Sequence, residues 1–447
     1  MASQAQMAAQ LSFANFSKAT ELKKRLWFTL GALIVFRLVS FVPLPGVDPA
    51  ALASLFGGTK GGALDYFNLF SGGALERMSL IALGVTPYIT ASIIIQLMTS
   101  LVPQLAALKK EGESGRKRLN QYTRYGTVLL TAIQGYGIAV GLESWGGGSA
   151  VIEPGAFFRI TTVITLIGGT MFLMWLGEQI TSRGIGNGIS LIIMAGIVAH
   201  LPIALGQLFE QARTGAINGG FLVLIGIIAL ATIAFICLME RAQRRILIQY
   251  PKRQVGSKMF QGDSSHLPLK INTAGVIPPI FASSLLLMPL TVAQFAGRTG
   301  SGPDWLLTVT AALQHGQPLY MAFYAAGIIF FSFFYTAVVF NPEETAENLK
   351  KYGGFVPGIR PGVRTSEYLD YVLTRITVVG AAYLTLICLL PEFLTAQMGI
   401  GTLAIGGTSL LIVVNVTMDT VAQIQSHLLA HQYEGLIKKS KLRGNRR

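Results

Sequence analysis

Two glycine clusters are the first residues of this 447-residue chain that could do chemistry. The run GGTKGG at 57–62 combines a flexible backbone with a cation, as a phosphate-binding loop does. Such a loop also needs a longer spacing and a Ser or Thr after its lysine, and neither is present. The run RGIGNG at 183–188 has no strand before it. We therefore predict a tight turn between helices there, and no nucleotide site in either cluster.

Histidines and carboxylates offer no second kind of reactive site. A metal site needs several ligands close together, and a catalytic serine needs a base within reach. His427 and His431 are four residues apart without a third ligand, and no apolar segment combines serine with histidine at a plausible catalytic site. The other histidines are His200, His266 and His315, and the carboxylates near segment ends are Glu178, Glu240, Glu392 and Asp419. The sequence predicts neither an enzyme nor a metal or organic cofactor.

The elements that carry these residues are predicted to be membrane spans. The chain is 51% hydrophobic and only 13% charged, with a mean hydropathy of +0.54. Soluble domains carry about 25% charged residues, and about 20 apolar residues suffice to cross a bilayer as a helix. Ten such segments lie at approximately 22–42, 82–101, 125–144, 157–177, 188–206, 219–239, 273–294, 319–341, 374–395 and 402–424. We predict an all-helical integral membrane protein, in which Cys237 and Cys388 pack within spans rather than form a disulfide.

The distribution of basic residues predicts the orientation of these spans. Of the 35 Lys and Arg residues, 29 lie in the two tails and in the connections on the same side of the membrane as the tails. Cytoplasmic loops carry the excess of Lys and Arg in membrane proteins. Both termini are therefore predicted to be cytoplasmic.

The second and seventh predicted spans contain proline and polar side chains. Pro87 and Gln96 lie in the second span, and Pro278 and Pro279 lie in the seventh. Proline removes a helix hydrogen bond, and polar groups are costly in lipid, so such helices pack against protein or line a water-filled space. Ordinary kinked packing is the simpler alternative. Two sets of five spans would also have opposite orientations, as in the inverted repeats of many transporters.

A small-solute or lipid secondary transporter with broken helices is therefore the alternative function, and an intramembrane enzyme is a weaker one. Ion-coupled carriers usually place ionisable groups near the middle of the membrane. This chain offers mainly Arg37 in the first span, with the uncharged Asn415 in the last. We therefore expect any driving force to come from outside the chain.

Two long basic loops, 240–272 and 342–375, face the predicted cytoplasmic side. In the second loop, Asn341 is a plausible helix N-cap and Pro342 suits the first helical position. Several glycines and prolines then predict a turn-rich tip around Arg360. Contacts with anionic lipid would explain scattered lysines. A shaped tip that carries one arginine favours the docking of a soluble partner.

The stretch FSGGALERMSLIALG at 70–84 follows a loop on the outer side. Its apolar residues have helical spacing, but Gly72, Gly73, Glu76 and Arg77 interrupt it. The stretch is too short and too charged to span the membrane. We predict a short helix tucked into the protein from the outer face, because irregular backbone at membrane depth must be shielded by protein.

Several of these stretches resemble the SecY/Sec61-alpha family in their residues and in their order along the chain. They are FSGGALERMSLIALGVTPYITASIIIQLMT, KKEGESGRKRLNQYTRYGT, GTMFLMWLGEQITSRGIGNGISLII, HLPLKINTAGVIPPIFASS, FNPEETAENLKKYGGFVPGIRPG and GGTSLLIVV. The similarity runs from the LKKRLWFTLGALIVFR entry to the QYEGLIKKSKLRG tail. Such agreement is far more specific than any single glycine motif.

The resemblance implies a clamshell of two pseudo-symmetric inverted halves, 1–206 and 207–447, around a pore. It implies a re-entrant plug half-helix at about 67–80, with Gly72 and Gly73 as its hinge and with the buried charges of Glu76 and Arg77 making it easy to displace. An apolar pore ring would comprise Val85, Ile89, Ile193, Ile280 and Ile412. A lateral gate between the second and seventh helices would include Thr90, Gln96, Asn272, Ser283 and Ser284.

The resemblance also implies a function and partners. The chain would be the central channel subunit of a protein translocase, passing unfolded secretory proteins across the bacterial inner membrane and releasing transmembrane segments sideways into the lipid bilayer. Its partners would be the SecE and SecG subunits, the SecA ATPase, the ribosome, signal peptides, nascent chains and membrane insertase accessory proteins. Arg244, Arg245, Arg253 and Arg360 would dock the motor or the ribosome, whose RNA phosphates attract basic loops through charge.

Overall fold

The structure is a computed structural model that describes residues 20–48, 68, 71–144, 150–215, 219–251, 253–255, 258–260, 264–286, 317–398 and 407–444. The first helices are α1 (Thr20–Val39), α2 (Thr86–Leu101), α3 (Pro103–Lys110), α4 (Glu113–Ser144), α5 (Ala156–Arg183), α6 (Gly188–Arg213) and α7 (Gly219–Arg241). After two β-hairpins come α8 (Ile277–Leu286), α9 (Pro318–Val339), α10 (Pro342–Lys351), α11 (Val363–Met398) and α12 (Gly407–Gly444).

Each of the ten predicted spans falls on one of the described helices. Seven of these helices are long and apolar enough to cross a membrane, and the bent pair α2–α3 makes eight if it is one span. Helix α1 carries Lys23, Lys24 and Arg25 near its start and Arg37 near its end, so it lacks a long uncharged window. The described part of α8 ends at Leu286, and the described residues resume at 317.

Proline sets the bend between α2 and α3. Proline has no backbone N–H and disfavours a helical conformation in the residue before it. Accordingly, Val102 is extended, α3 begins at Pro103, and the two helix axes differ in direction by 100°. Pro87 lies within the first two residues of α2, where proline needs no helix hydrogen bond partner.

The connection between α5 and α6 is the tight turn predicted from RGIGNG. The side chain of Asn187 accepts a hydrogen bond from the Ile189 N–H and so caps α6. Gly186 has φ +87°, in the left-handed region that glycine adopts readily. Its N–H donates to Gln423 Oε1 of α12 at 2.8 Å. The turn therefore links the helices it connects to the last helix of the chain.

Loop 240–272 contains two antiparallel hairpins that the sequence analysis did not predict. Strand β1 (Gln243–Gln249) pairs with β4 (Ser264–Lys270), with Gln243 opposite Lys270 and Gln249 opposite Ser264. Strand β2 (Arg253–Val255) pairs with β3 (Lys258–Phe260). On β1, Ile246 and Ile248 are buried while their neighbours are exposed, which is the alternation of a half-buried strand.

Much of the helical surface is apolar and exposed. The apolar window of Leu222–Arg241 is only 11% buried, although its mean hydropathy of 3.0 is the highest among the candidate spans. A soluble protein would have to cover such a helix, whereas hydrocarbon solvates it without cost. The exposed faces of the long helices therefore fit a bilayer, and the buried faces enclose the candidate site.

Candidate functional site

The five predicted pore-ring residues lie in one apolar cluster at the centre of the helical assembly. Val85, Ile193 and Ile412 are buried, and Ile89 and Ile280 pack against the same cluster while remaining half-buried. They come from the turn before α2, from α2 itself, and from α6, α8 and α12. We call these five residues the waist. Distant segments of the chain thus converge on the waist.

The space enclosed at the waist is very small. Val85, Ile89, Ile193 and Ile280 line a cavity of about 10 Å³, and Thr86, Ser283 and Ser284 complete its walls. A cavity of this size has room for about one water molecule at most. In this structure the waist is therefore closed. Ile412 packs in the surrounding cluster and does not line this cavity.

Hydroxyl groups beside the waist are occupied by their own helices. Ser283 Oγ donates to the Ile280 carbonyl at 2.9 Å, and Thr90 Oγ1 donates to the Thr86 carbonyl at 3.1 Å. A hydroxyl bonded to a carbonyl of its own helix satisfies its donor locally. The hydroxyl groups of Ser283 and Thr90 therefore have little tendency to bind water. With these donors satisfied, the surroundings of the waist remain effectively apolar.

Only some of the predicted lateral-gate residues lie at the meeting of α2 and α8. Ser283 and Ser284 face Thr86 and Ile89 across the small cavity, and Thr90 is buried one turn further along α2. Gln96 is half-buried, and its Oε1 atom is buried without a hydrogen-bond partner. Asn272 is buried before the start of α8 and bonds to α7 instead. Within the described residues, no hydrogen bond joins α2 to α8.

Residues 71–85, which include most of the predicted plug, form successive turns in place of the expected helix. Gly72 and Gly73 have φ +72° and +82°, and Met78 has φ +42°. A left-handed residue at three positions in eight cannot be part of a right-handed helix. Helical backbone is described at residue 68 and again from Thr86. Of the predicted plug at 67–80, residues 67, 69 and 70 lie outside the described residues. We call residues 71–81 the plug segment.

The plug segment packs directly beneath the waist. Ala74 and Ile81 belong to the same apolar cluster as Val85 and Ile193. A side chain on Gly169 of α5 would collide with the Leu80 carbonyl, so the absence of a side chain there allows the close approach. The segment is thus shielded by protein at membrane depth, as the sequence analysis predicted.

The two hinge glycines contact helices α1 and α6. Arg37 Nη1 donates to the Gly72 carbonyl at 2.6 Å. A Cβ atom on Gly72 would lie 3.1 Å from the Gly196 Cα, and one on Gly73 would lie 2.9 Å from His200 Nε2. Both positions combine a left-handed backbone with a close neighbour. Glycine is therefore required at each of them both by the backbone conformation and by the lack of space for a side chain.

The two charged plug residues differ in their surroundings. Glu76 is exposed, and its Oε2 atom accepts a hydrogen bond from Asn68 Nδ2 at 3.1 Å. The expectation of a buried charge is therefore wrong for Glu76, which the Asn68 contact keeps at the surface. Arg77 is half-buried and lies 4.2 Å above the Phe41 ring, while its Nη1 atom is buried without a hydrogen-bond partner. The expectation of a poorly satisfied charge thus applies to Arg77 alone.

Backbone contacts align the plug segment with the end of α1. Pro43 and Ser79 form an antiparallel bridge. On either side of it the Leu44 N–H donates to the Met78 carbonyl at 2.8 Å, and the Leu80 N–H donates to the Val42 carbonyl at 2.9 Å. The C-terminal part of the segment is held by backbone pairing, and the glycine end is held by the Arg37 side chain.

The two cytoplasmic loops meet and share a small core. The Gln249 N–H donates to the Phe355 carbonyl at 2.9 Å, and the Phe355 N–H donates back at 3.0 Å. Ile246 and Leu269 of the β1–β4 hairpin pack with Val356 and with α11 residues in one apolar cluster. We call β1, β4, residues 352–362 and residues 363–376 of α11 the loop body. Loops far apart in sequence form one unit here.

The predicted docking arginines lie on this unit or beside it. Arg244 and Arg245 are exposed on β1, and Arg360 is exposed in the turn that precedes α11. Arg253 is the first residue of β2. The turn around Arg360 has Gly358 at φ +83° and Gly362 at φ +105°, so glycine permits its sharp reversals. The predicted glycine-rich tip is confirmed.

The helix before this tip begins as the sequence predicted. Asn341 Oδ1 accepts hydrogen bonds from the Glu343 and Glu344 N–H groups, and Pro342 is the first residue of α10. Two acidic residues in the first turn and two lysines in the last complement the helix dipole. This short helix positions the start of the 352–362 tip.

Three residues near the site had no role in the sequence analysis. Thr86 lines the waist cavity, Arg37 binds the plug segment, and Glu240 binds Asn272. An arginine or a glutamate within an apolar helix is itself a signal, because such a residue needs a partner. The sequence contained that signal but could not identify either partner. Within the described residues, no group of three His, Cys, Asp or Glu side chains is placed to hold a metal ion.

Comparison with known sequences gives consistent matches along the chain. A family model described as SecY matches residues 79–421. Protein translocase subunit SecY of Vibrio cholerae serotype O1 is 58% identical over 430 residues, covering 96% of both chains. The protein of the same name from Escherichia coli K12 is 56% identical over 425 residues, covering 95% of this chain and 96% of that one. None of these names favours a small-solute transporter.

Comparison with solved structures matches the fold. A structure described as a protein-conducting channel aligns with TM-score 0.64 and 17% identity, covering 91% of this chain and 92% of that one. Sec61 in the canine ribosome–channel complex from the endoplasmic reticulum aligns with TM-score 0.63 at the same identity and coverage. At this identity the likeness concerns the fold alone, and it confirms the predicted helical architecture.

Proposed function

The chain belongs to the SecY family, and we propose that the waist is the seal of the pore through which it passes unfolded proteins. The observation that carries this proposal is the closure of the waist, where residues from α2, α6 and α8 leave a cavity of about 10 Å³. A narrow apolar constriction excludes water and ions by dewetting. The five waist residues themselves offer no hydrogen bonds or charges with which a passing chain would be retained.

The plug segment is proposed as the second part of the seal. It adds Ala74 and Ile81 to the apolar cluster of the waist. Within the described residues, it is attached by the Arg37 hydrogen bond, the bridge between Pro43 and Ser79 with the two backbone hydrogen bonds beside it, the contact of Arg77 with the Phe41 ring, and apolar packing. Gly72 and Gly73 are proposed as the hinge at which the segment swings aside. A segment held in this way blocks the closed pore and can leave without unfolding any helix.

The seam between α2 and α8 is the proposed lateral gate. Its described contacts are those of Thr86 and Ile89 with Ser283 and Ser284, and they are van der Waals contacts around a small void. Separation of two helices that share no hydrogen bond breaks only packing, whose cost is small where a void already exists. Thr90, Gln96 and Asn272 are proposed to flank this opening. An apolar segment of a passing protein would leave the pore here for lipid.

The loop body is the proposed docking surface for an external driver. Arg244, Arg245 and Arg360 project from it, and Arg253 follows on β2. Because the chain contains no nucleotide-binding motif, we propose that the SecA ATPase or the ribosome docks here. One of the structural relatives, Sec61, was solved in a ribosome–channel complex. SecE, SecG, signal peptides, nascent chains and insertase accessory proteins are the further proposed partners.

The proposed setting is the inner membrane of a bacterium, with both termini in the cytoplasm. The bias of Lys and Arg toward one side supports this orientation. The halves 1–206 and 207–447 are proposed as the two shells of the clamshell.

Reconstitution of the purified chain with SecE and SecG into vesicles tests this function. Addition of SecA, ATP and an unfolded secretory precursor is expected to make the precursor resistant to external protease. Without SecA no small solute should accumulate, because the resting waist is closed. Saturable uptake of a small solute by the chain alone, with no protection of the precursor, would contradict the proposal and favour a secondary transporter.

A further inference from the structure

Asn272 and Glu240 form a buried polar pair that the proposed function does not yet use. Asn272 Nδ2 donates to Glu240 Oε1 at 2.6 Å, and it also donates to the Gly275 carbonyl at 3.1 Å. The two side chains are only 4% and 8% exposed. A carboxylate withdrawn from water is strongly destabilised unless it keeps its partners. The Asn272 amide is therefore a partner that Glu240 cannot easily exchange.

The pair lies between the β1–β4 hairpin and helix α8. Glu240 is at the end of α7, three residues before β1, and Asn272 comes two residues after β4 and five before α8. The Ile271 N–H donates to the Ala242 carbonyl at 3.1 Å and extends the hairpin pairing to the same level. The pair therefore lies at the base of the hairpin, where the hairpin strand becomes the gate helix.

Continuous backbone pairing connects the loop body to the Asn272–Glu240 pair. Hairpin residues Gln243 to Gln249 pair with β4 along its whole length, and Gln249 pairs onward with Phe355. A Cβ on Gly380 of α11 would lie 2.8 Å from the Ile271 carbonyl, so α11 packs closely against the same base. The tip that carries Arg360 is thus connected to the start of α8 through backbone pairing and close packing.

The other side of α8 is held differently. Its described contacts with α2 surround the small cavity at the waist, and no hydrogen bond joins the described residues of these two helices. A displacement applied at the base of the hairpin therefore meets a strong attachment to the loop body and a weak attachment to α2. The gate helix follows the attachment that is harder to break.

We propose that the Asn272–Glu240 hydrogen bond is the joint that couples the loop body to the gate helix α8. Displacement of the loop body by a docked partner moves the start of α8 with it and separates α8 from α2. The inference rests on the proposed function for its direction, because that function makes α8 a gate helix. Asn272 and Glu240 act as positioning residues, since neither touches the passing chain.

The first test measures how rigidly the hairpin is connected to α8 when neither SecA nor a ribosome is bound. Spin labels are attached at Leu247→Cys on the hairpin and Leu285→Cys on α8, both exposed sites, with Cys237 and Cys388 replaced by alanine. We expect a narrow distance distribution in the parent chain. Asn272→Leu, which removes the donor at similar size, should broaden it. Asn272→Asp should do the same, because two carboxylates then face each other.

Two control variants separate the joint from a general structural defect. The double variant Asn272→Asp with Glu240→Gln reverses donor and acceptor, so the narrow distribution should return. Thr273→Val removes the neighbouring hydrogen bond from Thr273 Oγ1 to the Lys270 carbonyl, which does not reach α7, and it should leave the distribution narrow. Equal distributions in the parent and in both single variants would overturn the joint, whether or not the chain transports proteins.

The second test connects the joint to gating. Labels at Ile94→Cys on α2 and Leu285→Cys on α8 report the width of the gate in vesicles with SecA, ATP and precursor. The distance should lengthen in the parent chain and in the reversed pair. Asn272→Leu should bind SecA with unchanged affinity but show no lengthening, and translocation should fall about tenfold. Normal opening in Asn272→Leu would overturn the coupling. Absence of transport by the parent would instead contradict the proposed function.

Discussion

The waist and the loop body differ in what each leaves exposed. At the waist, apolar side chains from several helices face one another, and nearby hydroxyls bond to their own helices. In the loop body, apolar side chains such as Ile246 and Val356 form a small core, and Arg244, Arg245 and Arg360 project outward. One region excludes ions and the other presents charge.

On the proposed function, this difference separates sealing at the waist from the docking of a driving partner on the loop body. Apolar packing is short in range and sensitive to volume, so the seal responds to the presence of a chain in the pore. Charge acts over a distance of about 8 Å in physiological salt, so the loop body can attract a large partner before contact. The two regions therefore respond to different perturbations, and each prediction below perturbs one of them.

Removal of the plug segment is expected to have the largest effect on the seal. Deletion of residues 67–78 takes away the packing under the waist while leaving α1 and α2 intact. Resting ion conductance in planar bilayers should rise by about two orders of magnitude, because a hydrated path replaces a dewetted one. Conductance equal to that of the parent chain would contradict the plug assignment.

Reversal of charge at the tip should strongly reduce SecA-driven translocation and leave the resting ion conductance unchanged. Arg360→Glu places a negative charge where a partner meets a positive one, and we expect SecA-driven translocation to fall about a hundredfold at low salt. Arg364→Glu is the matched control, since Arg364 is also exposed but lies 3.7 Å from Glu367. Equal losses of translocation in both variants would show that Arg360 has no specific role in docking, and a change in resting conductance would show that the waist and the loop body are not separate.

A polar substitution at the waist should weaken the seal without affecting docking. Ile193→Ser introduces a hydroxyl and removes volume from the cavity wall. Resting conductance should rise about tenfold, because small cavities with polar partners admit water. Ile203→Ser on the same helix is the control, since Ile203 is half-exposed on the outer surface of the assembly. Similar conductance in the two variants would argue against the waist as the seal.

Loss of the Arg37 contact should have a smaller effect, and this effect also concerns the seal. Arg37→Met keeps the length of the side chain but removes its 2.6 Å hydrogen bond to the Gly72 carbonyl. A hydrogen bond to a charged group contributes about 1.5–3 kcal/mol. Spontaneous openings in single-channel records should become about ten times more frequent. An unchanged opening frequency would mean that apolar packing alone retains the plug segment.

The smallest predicted effect concerns the helix that positions the tip. Asn341→Ala removes the side-chain oxygen that caps α10 by accepting hydrogen bonds from the Glu343 and Glu344 N–H groups. Loss of such a cap costs about 1 kcal/mol, so amide exchange in the first turn of α10 should quicken by about fivefold. Translocation should fall by less than about twofold, since α11 still anchors the tip. A larger loss would mean that α10 itself forms part of the docking surface.

Much of this architecture could be predicted from the sequence because membrane spans have a simple signal. All ten predicted spans lie on described helices, and Asn187 and Asn341 cap the helices that follow them. Hydropathy and capping depend on residues close in sequence, so they can be read without knowledge of the packing. The glycine-rich tip was predictable for the same reason.

The interactions of the site were predictable only in part, because they join distant residues. The contacts of Arg37 with Gly72 and of Asn272 with Glu240 span 35 and 32 positions. No local pattern specifies such partners. The pore-ring residues required the family resemblance, since an isoleucine in a span usually packs or faces lipid. The hairpins were missed because the basic residues of β1 obscured its short alternation.

The central claim is that the waist is the path of the translocated chain. Photoreactive probes replace Ile89, Ile193 or Ile280 at the waist and, as a control, Ile164, which is 64% exposed on α5. A secretory precursor is then stalled in vesicles that contain SecA and ATP. We predict crosslinks from each waist probe and none from position 164. Absence of crosslinks at all three waist positions, while the stalled precursor is protected from protease, would contradict the account.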